Sequence, residues 1–180
     1  MLGTKVRMAE YQASILMTQM DSLEQETQIR CENANYLTSK ISQIPGIVPR
    51  KDYDQTNRTS YYYYGFRFKE EEFGISRDTF IKALKAEGVS ASAGLGVIEG
   101  KPMHQEGVIE SMLNSKTFLK LYSKKYLDEY RESLHFPETE KLVKETVGFH
   151  HNFILGPKSD MDDIYNAILK IYENRDQLKS

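Results

Sequence analysis

The side chains with the widest chemical range in this sequence are the histidines His104, His135, His150 and His151. The adjacent pair is predicted to lie on a strand, where neighbours point to opposite faces, so the two rings are not expected to share a metal ion. The acidic run at residues 160–163 lacks the glycine and distal glutamate of a calcium loop, and is predicted to be the charged first turn of a helix. The sequence therefore predicts no metal site.

Three further features could bind a ligand, and each also has a simpler structural interpretation. The glycine-rich stretch 94–107 lacks the strand-then-helix context of a phosphate loop, which leaves a connector or a loop that faces a ligand. The tyrosine-rich stretch 60–69 fits a strand packed by helices better than a platform for stacked bases. Lys5 and Arg7 stand just before a helix, and are either solvated charges or part of an anion site.

Composition limits the classes of protein to which the chain can belong. Its 180 residues are 39% hydrophobic and 28% charged with a formal net charge of −2, typical of one domain or one lobe of a larger protein. A clustered basic face and a long apolar run are both missing, so no nucleic-acid or membrane partner is expected. Cys31 is the single cysteine, which excludes an internal disulfide, and a cytoplasmic location is expected.

The hydrophobic pattern predicts a long helix followed by an α+β unit. Apolar residues from Met8 to Ile41 recur with a period near 3.6 around a polar centre, which is typical of a helix that bridges two bodies. Ile44-Pro45-Gly46 ends this helix, and residues 47–59 are predicted to be a polar connector. The expected domains are residues 1–43, a linking helix, and residues 44–180, an α+β small domain.

The remaining pattern predicts a three-stranded, mainly antiparallel sheet with helices on one face. The predicted strands are residues 60–69, 89–93 and 147–151. The predicted helices are residues 77–87, 117–134 and 138–146, and a last helix capped by Ser159. Alternation places on one face of the first strand Tyr62, Tyr64, Phe66 and Phe68. The apolar residues of helix 117–134 are Phe118, Leu121, Tyr122, Tyr126 and Tyr130.

Along nearly its whole length the chain resembles one known family. The run LGTKVRMAEYQ at residues 2–12 is similar to the Leu-Gly-x-Asn-x-Arg-Met-x-Glu-x-Gln motif of the DegT/DnrJ/StrS aminotransferases, which use pyridoxal 5′-phosphate (PLP) and act on sugars and cyclitols. Further similar runs are YYYGFRF at 62–68, SAG at 92–94, HNFILG at 151–156 and MDDI at 161–164. Each motif is weak by itself, and the ordered set carries the resemblance.

The resemblance implies that the chain corresponds to the C-terminal small domain of a fold-type I PLP-dependent aminotransferase, preceded by the long interdomain helix. In family members the lysine that forms the Schiff base with PLP precedes the Arg-Met motif. The aromatic residue that stacks on the PLP ring and the acid that binds its nitrogen precede the motif too. None of the three has a counterpart here, so the chain alone is expected to bind no PLP, to contain no catalytic residue and to be inactive.

The resemblance also implies which residues approach the active site. Lys5 replaces the family asparagine that reaches the PLP phosphate of the partner subunit, and can meet a phosphate as a point charge, whereas Arg7 matches the motif. Residues 94–104 correspond to the loop that closes over the substrate. The candidate residues of this substrate loop are Gly94, Leu95, Gly96, Glu99 and His104. In the family, tyrosines usually stand at the positions of Leu95 and Glu99, and Phe or Tyr stands at the position of His104. The identity of the substrate therefore stays open.

Three functions remain open at this point. The first is the C-terminal part of a homodimeric aminotransferase that moves an amino group from glutamate or glutamine to a keto sugar or cyclitol. The second is a free-standing, non-catalytic binding module derived from that lobe. The third is a small-molecule sensor that uses the glycine-rich stretch 94–107.

Overall fold

The computed structural model describes residues 7–94 and 101–179, in which a long helix is followed by an antiparallel sheet and further helices. The strands are β1 (Ile47–Pro49), β2 (Tyr63–Phe68), β3 (Ser92–Ala93) and β4 (Thr146–His150). The helices are α1 (Glu10–Ile41), α2 (Glu70–Phe73), α3 (Arg77–Ala86), α4 (Gly107–Leu113), α5 (Lys116–Leu121), α6 (Lys124–Ser133), α7 (Pro137–Glu145) and α8 (Lys158–Glu173). Short 3₁₀ turns are Met103–Gln105, His151–Ile154 and Arg175–Leu178.

The sheet has the strand order β1-β2-β4-β3, and every neighbouring pair is antiparallel. The prediction of an antiparallel α+β sheet is confirmed, but its strand count was wrong. The additional strand β1 lies in the stretch predicted to be a connector, where Pro49 pairs with Phe66. A proline cannot donate to the ladder, so it is accepted only at a sheet edge, and three residues are too few to show alternation.

Aromatic side chains on one face of β2 form the centre of the core. Tyr64, Phe66 and Phe68 are each no more than 3% exposed, as the alternation predicts. The ring of Phe68 lies 4.5 Å from that of Phe80 on α3 and 4.7 Å from that of Phe73 on α2, centroid to centroid. Burial of one such side chain contributes about 1.5–3 kcal/mol, so this face of β2 holds the helices to the sheet.

Gly148 occupies the centre of β4, opposite Gly65 of β2. The ring of Tyr63 packs over it, and the Tyr63 hydroxyl donates a 2.9 Å hydrogen bond to the Gly148 carbonyl. A Cβ at position 148 would meet the Tyr63 ring, and would lie 2.5 Å from the backbone oxygen of Tyr64. This close approach of two strands therefore depends on glycine.

Helix α8 is joined to α1 by polar contacts at Asp162. The Tyr36 hydroxyl donates to Asp162 Oδ1 at 2.7 Å, and the Lys40 ammonium forms an ion pair with the same oxygen. These hydrogen bonds from Lys40 and Tyr36 lower the pKa of Asp162.

The start of α8 differs from the sequence prediction. Helix α8 begins at Lys158 after Pro157, so Ser159 lies inside the first turn, and the prediction of Ser159 as the N-cap was wrong.

The two halves of α1 differ in their surroundings. From Thr27 onward the helix is packed, and Leu37 and Ile41 are fully buried against the sheet and α8. Nearer its start, Ile15, Leu16 and Met20 are 44–66% exposed. An apolar first half without cover in the described part of the chain agrees with the sequence pattern, whereas the division at residue 43 stays a prediction.

The region between β3 and β4 differs most from the sequence predictions. Helix α4 was not predicted, and the helix expected over 117–134 is two helices, because Ser123 caps the start of α6 by accepting from the Tyr126 N–H at 3.2 Å. The residues predicted to form its apolar face are largely exposed, and Leu127 is the buried residue of α6, at 2% exposure. Within residues 7–94 and 101–179, none of the helices has the length and apolar character needed to cross a membrane.

We expect Asp162→Asn to lower the melting temperature at neutral pH, because the amide cannot pair with the Lys40 ammonium. Since the folded-state pKa of Asp162 is lowered, its stabilising contribution is present above the ordinary pKa of aspartate and is lost as the pH falls through the folded-state value. Thermal unfolding of both proteins from about pH 7 to about pH 2 should show the difference shrink. The matched control is Asp163→Asn, at an exposed position on the same helix. A difference that stays constant with pH would contradict this role of the carboxylate.

Candidate functional site

The candidate substrate loop begins at Gly94, immediately after β3. Gly94 is buried, and its φ of +74° lies in the left-handed region that favours glycine. Its N–H donates to the carbonyl of Thr146 at 2.9 Å, and the Thr146 hydroxyl donates to the carbonyl of Leu142 at 2.6 Å. Thr146 is the first residue of β4 and Leu142 lies on α7, so the start of the loop is fixed to the junction of α7 and β4.

The other end of the loop is held by the same helix. His104, in the 3₁₀ turn, donates from Nε2 to Oε1 of Glu140 on α7 over 3.0 Å. Its ring also packs edge-on against Phe136, with centroids 5.0 Å apart, and its side chain is only 9% exposed. The structure therefore brings both described ends of the loop, Gly94 and His104, to the segment formed by α7 and the start of β4.

The structure shows no contact between the remaining candidate residues and the segment formed by α7 and the start of β4, called the loop support below. Leu95, Gly96, Glu99 and Lys5 lie outside the described residues. Arg7 is described and exposed, and it has no hydrogen bond or ion pair with any residue of 7–94 or 101–179. Arg7 is thus an available cation, and its relation to the loop stays a prediction.

A charged cavity of about 630 Å³ lies beside the loop support, between β2, α2 and α7. Arg67 and Glu145 line it and form an ion pair, with Arg67 Nε donating to Glu145 Oε2 at 2.7 Å. Glu140 lines the same cavity and so connects it to His104. The sequence placed Arg67 on the outer face of its strand, but its partner is 78 residues away and no local pattern indicates it.

The geometry assumed for the histidine pair was wrong. Strand β4 ends at His150 and a 3₁₀ turn begins at His151, so the two ring centroids lie only 4.1 Å apart. Tyr62, which is 73% exposed and precedes β2, packs against both rings at 5.8 Å and 6.0 Å. Within 7–94 and 101–179, no three or more His, Cys, Asp or Glu side chains come together as a metal site.

A buried cation lies close to this pair. Arg30 is 7% exposed and donates to Thr27 Oγ1 at 3.0 Å and to Glu26 Oε2 at 3.3 Å. Burial lowers the pKa of His151, and the nearby charges of His150 and Arg30 lower it further. These effects favour the neutral form of the His151 ring, which packs against His150 and Tyr62.

Whether the described residues bind PLP by themselves stays a prediction. PLP chemistry needs a lysine for the Schiff base and a partner for the pyridine nitrogen. The charged cavity beside Arg67 is not lined by Arg7, Gly94 or His104. Of these three residues, Arg7 carries a permanent positive charge, the kind of group that meets a cofactor phosphate.

This chain is similar in sequence and in fold to known proteins. Residues 1–169 match the model of the DegT/DnrJ/EryC1/StrS aminotransferase family. The L-glutamine:2-deoxy-scyllo-inosose aminotransferase of Streptoalloteichus tenebrarius is 27% identical over 182 residues, which are 100% of this chain and 41% of that protein. A second protein of that organism, with the provisional name L-glutamine:3-amino-2,3-dideoxy-scyllo-inosose aminotransferase, is 31% identical over 183 residues, 99% of this chain and 42% of that protein.

Among solved structures, 3-amino-5-hydroxybenzoic acid synthase is similar with a TM-score of 0.66 at 20% identity, over 96% of this chain and 41% of that one. The chain therefore spans about two fifths of the length of the relatives it matches. The structural likeness confirms the predicted fold, part of a fold-type I aminotransferase. With the match over residues 1–169, it follows that the chain belongs to the DegT/DnrJ/EryC1/StrS aminotransferase family.

Proposed function

We propose that this chain is the C-terminal portion of a PLP-dependent aminotransferase that transfers an amino group from glutamine or glutamate to a keto cyclitol or keto sugar. The observation that carries the proposal is the family match over residues 1–169. Two relatives are named as glutamine-dependent aminotransferases of inosose derivatives, which supports this donor and this class of acceptor.

In such a reaction, this chain would position the substrate through the loop whose ends are held by α7 and β4. A loop that covers a substrate positions it and excludes water only if its ends hold a fixed geometry. Hydrogen bonds at Gly94 and His104 fix both ends to α7 and β4. PLP supplies the electron sink when it is bound. The task of this chain is to orient the acceptor and to present Arg7 to an anionic group.

We further propose that the 180 residues are inactive without a PLP-binding domain. The first half of α1 supports this, because Ile15, Leu16 and Met20 are exposed there, and exposed apolar side chains of this kind mediate contact between domains. The complete enzyme would be a homodimer, in which Lys5 approaches the cofactor phosphate of the second subunit.

A chimera tests this function directly. We would replace the matching C-terminal part of the Streptoalloteichus tenebrarius 2-deoxy-scyllo-inosose aminotransferase with this chain. The chimera should show the visible absorbance of bound PLP and aminate a keto cyclitol or keto sugar with glutamine, whereas the 180-residue chain should do neither.

The control is the large domain of that relative alone, expressed without this chain. A folded, PLP-loaded chimera that aminates no ketone in a panel of inososes and keto sugars would contradict the acceptor class. A PLP absorbance band from the 180-residue chain alone would contradict its dependence on a second domain.

We expect Glu140→Ala in the chimera to lower kcat/KM for the ketone about tenfold, which corresponds to about 1.4 kcal/mol, because one end of the substrate loop loses its partner. The PLP absorbance should not change, because Glu140 supports the loop and not the cofactor. Glu138→Ala is the matched control, an exposed glutamate on the same helix. Equal kinetics of the two variants would rule out Glu140 as a positioning residue.

A further inference from the structure

We propose that the place of the His151 ring beside helix α1 makes this part of the fold sensitive to pH. Protonation of the ring releases the start of the 3₁₀ turn His151–Ile154 from α1 and uncovers the buried guanidinium of Arg30. This inference does not depend on the aminotransferase proposal, because it rests on the groups that surround one histidine side chain.

The turn His151–Ile154 packs against α1 and is fixed to it at its far end. Ile154 is fully buried, and the side-chain amide of Asn33 on α1 donates to the carbonyl of Ile154 at 3.1 Å and to that of Gly156 at 2.8 Å. The side chain of His151 forms no hydrogen bond with any residue of 7–94 or 101–179. The start of the turn can therefore open while its end stays attached to α1.

Packing between rings holds His151 in this place. Its ring centroid lies 4.1 Å from that of His150 and 6.0 Å from that of Tyr62. Its Nδ1 atom is buried and has no hydrogen-bond partner in the part of the chain that the structure describes. A proton added at Nδ1 would be a buried donor without an acceptor, and it would bring a positive charge into a place that water does not reach.

The charges around His151 also oppose its protonation. Arg30 is 7% exposed, and its Nε–H has no partner among the described residues. The acid that acts on His151 is Glu26, which is already paired with Arg30 at 3.3 Å. Burial lowers the pKa of His151, the charges of His150 and Arg30 lower it further, and Glu26 acts in the opposite direction.

Solvent lies close to the other side of the ring. Tyr62, which packs against His151 there, is 73% exposed, so the protonated side chain reaches water by a short movement. In the open form the pKa of His151 returns to the ordinary value of about 6.5. Because the pKa is lower in the closed form, that form loses stability relative to the open form as the pH falls below about 6.5. The loss is complete once the pH is below the lowered value.

Amide hydrogen exchange at about pH 5 and about pH 7.5, corrected for the intrinsic pH dependence of exchange, tests the proposal. In the unchanged chain, opening of the turn and of α1 around Arg30 should increase at the lower pH. The increase should reach about tenfold for each pH unit by which the pKa of the closed form lies below that of the open form. His151→Gln, which cannot take up the proton, should open equally at both pH values. His135→Gln, at an exposed histidine between α6 and α7, is the matched control and should behave like the unchanged chain.

A second variant, Arg30→Gln, tests the role of the buried cation. Loss of the guanidinium should raise the pKa of His151 toward its ordinary value, which NMR titration of the ring protons measures. Circular dichroism checks that each variant is folded, and the exchange data for His151→Gln decide the question if Arg30→Gln is not. Exchange of the turn that is the same at both pH values in the unchanged chain would overturn the proposal. An opening at low pH that is equally large in His151→Gln would overturn it too.

Discussion

The antiparallel pairing of β2 with β4 is the interaction on which the rest of the structure depends. It runs over five residue pairs, from Tyr63↔His150 to Arg67↔Thr146, and joins segments that are about 80 residues apart in the chain. One side of the pair carries the buried aromatic core, with Tyr64 and Phe149 stacked at 5.8 Å. The hydrogen-bonded ladder and the aromatic burial reinforce each other, because a shift of one residue would turn the rings to the opposite face.

The same pairing positions the candidate site. Strand β3 adds to the free edge of β4, so Gly94 emerges beside the residue at which α7 becomes β4. Because α7 continues directly into β4, the helix that receives His104 is held by the strand that receives Gly94. The loop therefore depends on the centre of the sheet, although the loop itself lies at its edge. The charged cavity beside Arg67 lies between β2, α2 and α7, so it shares α7 with the two ends of the loop.

Periodicity predicted the elements with enough length to show it. The first helix and the β2 strand are confirmed, because their apolar spacing extends over several turns or alternations. Strand β1 and helix α4 were missed, since three and seven residues leave no readable period. The break at Ser123 was missed because the aromatic spacing of Phe118, Tyr122 and Tyr126 continues across it. Apolar residues with this regular spacing usually form a buried face, but here Tyr122 and Tyr126 are exposed.

For the site, the resemblance gave the two loop ends, which the structure joins to the same helix and strand. Glu140 belongs to the residues that resemble the family, but the resemblance assigned it no role. The link from His104 to Glu140 spans 36 residues and exists only after both segments have folded. The histidine pair shows a different limit. Its predicted separation assumed that the strand continued through His151, whereas the chain turns there and stacks the rings. The relative positions of neighbouring side chains thus depend on where a strand or helix ends, and these boundaries are the hardest feature to predict from a sequence.

Gly148 has a consequence for how this sequence can vary. Of the two groups that exclude a side chain there, the Tyr63 ring could be removed by substitution, but the Tyr64 carbonyl belongs to the backbone and stays in every variant that keeps the β2–β4 pairing. Removal of the Tyr63 ring is therefore not enough to make room for alanine at position 148, because the two strand backbones would also have to move apart. The restriction on this position thus comes from the pairing of β2 with β4 and is independent of any activity.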